Sequence, residues 1–177
     1  MSYTRQQAIE KLLKSYEAYF NIYRMEKEDV PLVARCDFFE HSQKYVMSQK
    51  AELWAADSEE FIYLFEMEHL TKELFEQCKA YALEDGNGRM KVGPGHMYTF
   101  ITAIFICDSC DAEAKKALRK SREYKSFHFS LHGWMDYHNA VLEVSNDAIS
   151  SNYAGKSTAK ILKKVLFHTK KKRSVNK

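Results

Sequence analysis

Backbone breakers are scarce in this chain. Proline occurs only at Pro31 and Pro94, and four of the six glycines crowd between Gly86 and Gly95. The rest of the chain is nearly free of them, so backbone flexibility is concentrated at one place. Cysteine is also scarce: Cys36 and Cys78 stand alone, and only Cys107 and Cys110 are close neighbours. A small secreted disulfide scaffold uses more, so all four are expected to be reduced thiols. No apolar run reaches the roughly 18 to 20 residues that span a bilayer. The first residues, Met-Ser-Tyr-Thr-Arg-Gln-Gln, lack a basic stretch followed by an apolar one, so no secretory signal is read and a cytoplasmic location is expected.

Apolar material is abundant. Hydrophobic residues make up 45% of the 177 positions, with 11 Tyr, 11 Phe and 2 Trp, which rules out general disorder. A chain of this size folds as one domain, read here as residues 1–169 followed by a basic, disordered tail at 170–177. Charge is unevenly placed. Residues 1–110 hold 12 Lys/Arg against 18 Asp/Glu, and residues 111–177 hold 15 against 6, so balances of −6 and +9 make up the net +3. That asymmetry points to a basic face able to meet phosphate, an acidic partner or a second copy of the chain.

Periodicity then gives the elements. Ile9, Leu12, Leu13, Tyr16, Phe20 and Tyr23 recur at helical spacing, and Thr4 with Gln7 forms a capping box, predicting a helix over 4–23. After Pro31 the period becomes two. Apolar runs at 32–38, 45–53 and 61–65, separated by polar turns at 40–43 and 57–60, predict a three-stranded meander. A helix over 71–84 should end at Gly86 as its C′ residue. The most apolar run, 97–107, is rich in β-branched residues and reads as a central strand. A basic helix over 111–124, strands at 127–131 and 140–144, an extended piece near 148–153 and a helix over 157–169 complete the chain. The class is α+β: a single mixed, largely antiparallel sheet in the order α-βββ-α-β-α-ββ(β)-α, with helices packed on it.

Several chemistries are excluded by their missing parts. Cys107-Asp108-Ser109-Cys110 has the placement of a redox dithiol, but Asp108 and Asp111 flank it and no cis-proline candidate follows position 94. A zinc site is not expected either. On a strand, His128 and His132 would lie about 13 Å apart, too far to share an ion. Ala154-Gly155-Lys156-Ser157 resembles the end of a phosphate-binding P-loop, yet Ser150 stands where its first glycine belongs. Gly86-Asn87-Gly88-Arg89-Met90-Lys91 lacks the third glycine of a dinucleotide fingerprint and follows a helix, not a strand.

Two constellations remain. The glycine-rich segment presents Arg89, Lys91 and His96 on a permissive backbone, suited to an anion. Lys115, Lys116, Arg119, Lys120, Arg122 and Lys125 crowd one helix and its exit, with Tyr124 beside them, a pattern that attracts phosphate and can stack bases. The order α-βββ-α-β over roughly residues 4–106 resembles the core of restriction-endonuclease-like nucleases. That resemblance implies Mg²⁺ held by an aspartate on the second strand and acids on the third, here Asp57, Glu66 and Glu68. Glu68 occupies the position of that family's lysine.

The expectation is therefore a binding protein for an anionic ligand, nucleic acid or another phosphate-bearing molecule. It would engage Arg89, Lys91, His96, Lys116, Arg119 and Lys120, with homo-oligomerisation open and no cofactor or metal implied. The alternative is a metal-dependent nuclease or phosphodiesterase using Asp57, Glu66 and Glu68.

Overall fold

The computed structural model of the protein describes residues 3–25, 30–45 and 52–167. The expected basic tail at 170–177 lies outside them.

Helix α1 (Arg5–Tyr16) begins at the predicted box: Thr4 Oγ1 accepts the Gln7 N–H at 3.2 Å, and Gln7 Oε1 accepts the Thr4 N–H at 3.0 Å. It stops about two turns earlier than its stripe predicts. Tyr23 lies instead on strand β1 (Asn21–Arg24), opposite Arg35 of strand β2 (Leu32–Tyr45). Arg24 grips Glu10 with both terminal nitrogens, at 2.7 and 2.8 Å, so the reversal is tied back onto the helix.

The predicted turns at 40–43 and 57–60 do not exist. β2 runs on through the first, and strand β3 (Glu52–Leu70) runs through the second. Acids look like turn formers in sequence, but here they find partners across the sheet. Glu59 accepts from Thr99 at 2.9 Å and Glu60 from Thr102 at 3.0 Å, both on the next strand. A satisfied polar residue is as compatible with a strand as an apolar one.

Helix α2 (Lys72–Arg89) likewise passes through Gly86 and Gly88. Gly86 is not a helix stop. A Cβ there would sit 2.7 Å from the Ile101 side chain, so the glycine lets helix and sheet approach. Strand β4 (His96–Cys110) is the expected central strand. Helix α3 (Ala112–Lys120), strands β5 (Tyr124–Ser126), β6 (Trp134–Glu143) and β7 (Ala148–Ser151), and helix α4 (Lys156–Phe167) follow. Residues 127–131, predicted as a strand, form a turn in which His128, Phe129 and Ser130 all have positive φ. The alternation of apolar and polar residues there is real, but only Phe127 packs against the core, while Phe129 and Leu131 face water, Phe129 at 96% exposure.

The order of element types agrees with expectation, but the first of the three leading strands is 21–24, not part of 32–68. Most of the predicted middle run at 45–53 lies outside the described residues. The seven strands form one mixed sheet in the spatial order β1-β2-β3-β4-β6-β5, with β7 also pairing β6. Its centre, β3-β4-β6, is parallel; the flanks are antiparallel. Parallel neighbours need long crossovers, which α2 and α3 provide. Those two helices cover one face, where Phe75, Cys78, Ala82, Ala114 and Leu118 join Tyr63, Phe65 and Phe105. α1 and α4 cover the other, burying Leu12, Leu13, Leu162 and Leu166 against Ile62, Ile104 and Leu142.

Candidate functional site

Arg89 is the last residue of α2, and its guanidinium is already engaged. It forks onto Asp37 at 2.8 and 3.0 Å, reaches Asp85 at 3.1 Å, and lies 4.1 Å over the Phe61 ring. Arg35 joins the same Asp37 at 3.3 Å, and Tyr63 donates to Asp85 at 2.6 Å. Asp37 is buried, and burial pushes its carboxyl above the usual range while Arg89 and Arg35 pull it back down. This is an ion-pair network that locks α2 to β2, although the buried Nε of Arg35 and of Arg89 make no hydrogen bond within it.

His96 is buried as well. Its Nδ1 lies 2.6 Å from the His132 carbonyl and its Nε2 2.8 Å from the Thr99 hydroxyl, which reaches Glu59. A carbonyl only accepts, so Nδ1 carries a proton. The turn at 127–133 is thus held from beneath by a hydrogen-bonded chain running back to β3. Lys91 is exposed. Of the three residues expected to bind an anion at the glycine-rich segment, only Lys91 faces solvent, and the segment does not assemble as a site.

The basic helix is different. In α3, Ala114 and Leu118 face the core, and Lys115 points inward to the buried Glu143 at 2.6 Å. Lys116, Arg119 and Lys120 point outward and line a cleft of about 570 Å³ with Cys110 and Ala112. A second cleft, of about 500 Å³, shares Arg119 and Lys120 and adds Arg122, Tyr124, Asp136 and Tyr153. None of these outward cations holds a carboxylate among the described residues. By contrast Arg5, Arg24, Arg35 and Arg89 each hold at least one.

The wall between α3 and α4 is rigid. Asn139 and Asn152 exchange backbone-to-side-chain hydrogen bonds at 3.0 Å in both directions. Asn139 also donates to the Ser121 hydroxyl at 2.6 Å, and Asn152 to the Ser121 carbonyl at 3.1 Å. Gly155 sits so close that a Cβ would lie 2.1 Å from the Asn139 carbonyl oxygen. Ala154-Gly155-Lys156-Ser157 is therefore a packed corner that fixes the base of the cleft. Sequence reasoning named Arg122 and Tyr124 but missed Tyr153 and Asp136 as cleft residues. The close-packed Gly155 two places after Tyr153 was the available signal.

The acids of the nuclease alternative do not converge. Asp57, Glu66 and Glu68 all lie on β3, and nine residues of strand place Asp57 about 30 Å from Glu66. At the far end, Arg5 lies between Glu66 at 3.7 Å, Glu68 at 3.9 Å and Asp108 at 3.4 Å. No group of three metal-ligating side chains occurs among the described residues. His128 and His132 are closer than a strand would allow, their stacked rings 4.9 Å apart, because the segment turns. The four cysteines are free. Burial pushes the Cys107 thiol up to about 12 and the Cys110 thiol to about 11, far from a reactive thiolate. No helix among the described residues is long and apolar enough to cross a membrane.

Comparison with known proteins finds no matching curated protein and no matching solved structure. The model of one family, described as "Domain of unknown function (DUF8052)", matches residues 4–164, nearly the whole described chain. The protein belongs to that family.

Proposed function

We propose that the protein acts by binding a phosphate-bearing, polyanionic ligand along the outer face of α3. The observation that carries this reading is the split among its arginines. Those on the rest of the molecule hold carboxylates, whereas Arg119 and Arg122, with Lys116 and Lys120, share adjoining clefts and hold none among the described residues. Like charges gathered this closely repel one another, and an anion relieves that repulsion. Guanidinium groups also present the planar fork that matches a phosphate.

The glycine-rich segment has no part in this reading, because Arg89 and His96 are engaged inside the fold. Only Lys91 stays available there. The test is titration of inorganic polyphosphate at several salt concentrations, comparing the native protein with a variant carrying Arg119→Ala and Lys120→Ala. Binding should weaken steeply with salt in the native protein, and the slope should fall by about one for each phosphate contact removed. Equal affinity and equal slope in the two proteins would place the ligand elsewhere.

A further inference from the structure

The second cleft contains more than a polyanion needs. Tyr124 is 56% exposed and Tyr153 83% exposed, and neither ring packs against another aromatic among the described residues. Lys156 Nζ lies 4.2 Å from the Tyr153 ring centroid and so steadies that ring from one side. Asp136 lines the same cleft with its side chain 28% exposed. Its carboxylate has Arg119 and Arg122 in the cleft with it, yet it pairs with neither; its partner among the described residues is His138, whose Nε2 stands 3.7 Å away.

A carboxylate is the wrong sign for a phosphate. It is the right acceptor for an exocyclic amino group on a base edge, as when Asp or Glu accepts from cytosine N4. Exposed tyrosines stack on bases, which all have a π-face, and the cleft's arginines and lysine take the backbone. The polar side chains beneath, Asn139 and Asn152, are bound into the fold and hold the walls in place. A cavity of about 500 Å³ is in the range of small-ligand pockets.

We infer that the ligand of this face is single-stranded nucleic acid, with an amino-bearing pyrimidine such as cytosine stacked on Tyr153 or Tyr124, read by Asp136, and its phosphates on Arg119, Lys120 and Arg122. This rests on the polyanion reading above and narrows it to a chemical class.

The experiment is fluorescence anisotropy with labelled oligo(dC) and oligo(dT) of equal length, beside competition by inorganic polyphosphate. The two oligonucleotides carry the same charge, so a difference between them comes from the base. Oligo(dC) should bind about tenfold tighter than oligo(dT), within the range of one good base contact. Tyr153→Ala should weaken both by about tenfold, the size of one lost stacking contact. Asp136→Ala should bring the affinity for oligo(dC) down to that for oligo(dT). A misfolded variant would lose both together, so the loss of preference separates recognition from damage. If oligo(dC), oligo(dT) and polyphosphate compete equally and Tyr153→Ala changes nothing, the nucleic-acid inference falls and the polyanion reading stands. If none of them binds at low salt, both fall.

Discussion

Two groups of cations in this protein have the same chemistry and opposite circumstances. At the end of α2, Arg89 and Arg35 converge on Asp37 and Asp85 beneath the outer strands. On α3, Lys116, Arg119 and Lys120 point away from the core, while Lys115, from the same helix, turns inward to Glu143. Composition treats all of these residues alike. Burial of a carboxylate nearby is what separates a cation that holds the fold from one that can receive a ligand.

The sharpest way to break that comparison is Asp37→Ala. It leaves two half-buried guanidinium groups with only Asp85 between them, and removing one partner of a buried pair costs about 3 kcal/mol. Urea unfolding should show a midpoint well below that of the native protein, while the folded fraction still binds polyphosphate. An unchanged midpoint would mean that the α2 network is as dispensable as a surface pair. Thr99→Val is next. It removes the hydroxyl between Glu59 and His96, leaves two buried polar groups without their shared partner, and should cost about 2 kcal/mol by the same measurement.

How much of this was legible in the sequence depends on what each residue faced. The order of helices and strands could be read, because core faces such as Ile9, Leu12, Leu13 and Tyr16 keep their period. The acids of β2 and β3 could not. Nothing in Asp57-Ser58-Glu59-Glu60 reveals that Thr99 and Thr102 lie across the ladder to receive them, since pairing between distant segments leaves no local trace. The glycine-rich segment misled for a related reason: Gly86 is required by Ile101, a residue 15 positions away. On α3 the sequence pointed to Lys116, Arg119 and Lys120, which the fold does gather at one cleft. Asp136 and Tyr153 reach the neighbouring cleft through β6 and the turn after β7, a meeting that only the assembled sheet brings about.

Glu60 gives a smaller effect with the opposite sign. Burial pushes its carboxyl above the usual range, and Thr102 is its hydrogen-bond partner where Asp37 has two arginines. A folded-state pKa above the unfolded value means that the charged form lowers stability once pH rises past the unfolded value. Glu60→Gln should therefore raise the melting temperature at pH 7. The advantage should shrink as pH falls towards 4, where the native carboxyl takes up its proton. A variant less stable than the native protein at pH 7 would show that the charge at Glu60 is compensated. Smallest of all is the stability change for Arg119→Ala with Lys120→Ala, expected within about 0.5 kcal/mol because neither residue holds a carboxylate in the fold. A large loss in thermal melting would show these cations to be structural, and the contrast with Arg89 would disappear.

The glycines carry a consequence for how sequences of this family can diverge. An added Cβ meets nothing within 4 Å at Gly88 or Gly93, although both belong to the most conspicuous stretch of the chain. At the isolated Gly133 and Gly155 it would run into a backbone carbonyl oxygen at 2.1 Å. Across related genes Gly88 and Gly93 should therefore drift freely, Gly86 should stay tied to Ile101, and the two solitary glycines should persist as fixed points. Those two positions then offer the most economical signature for finding distant members.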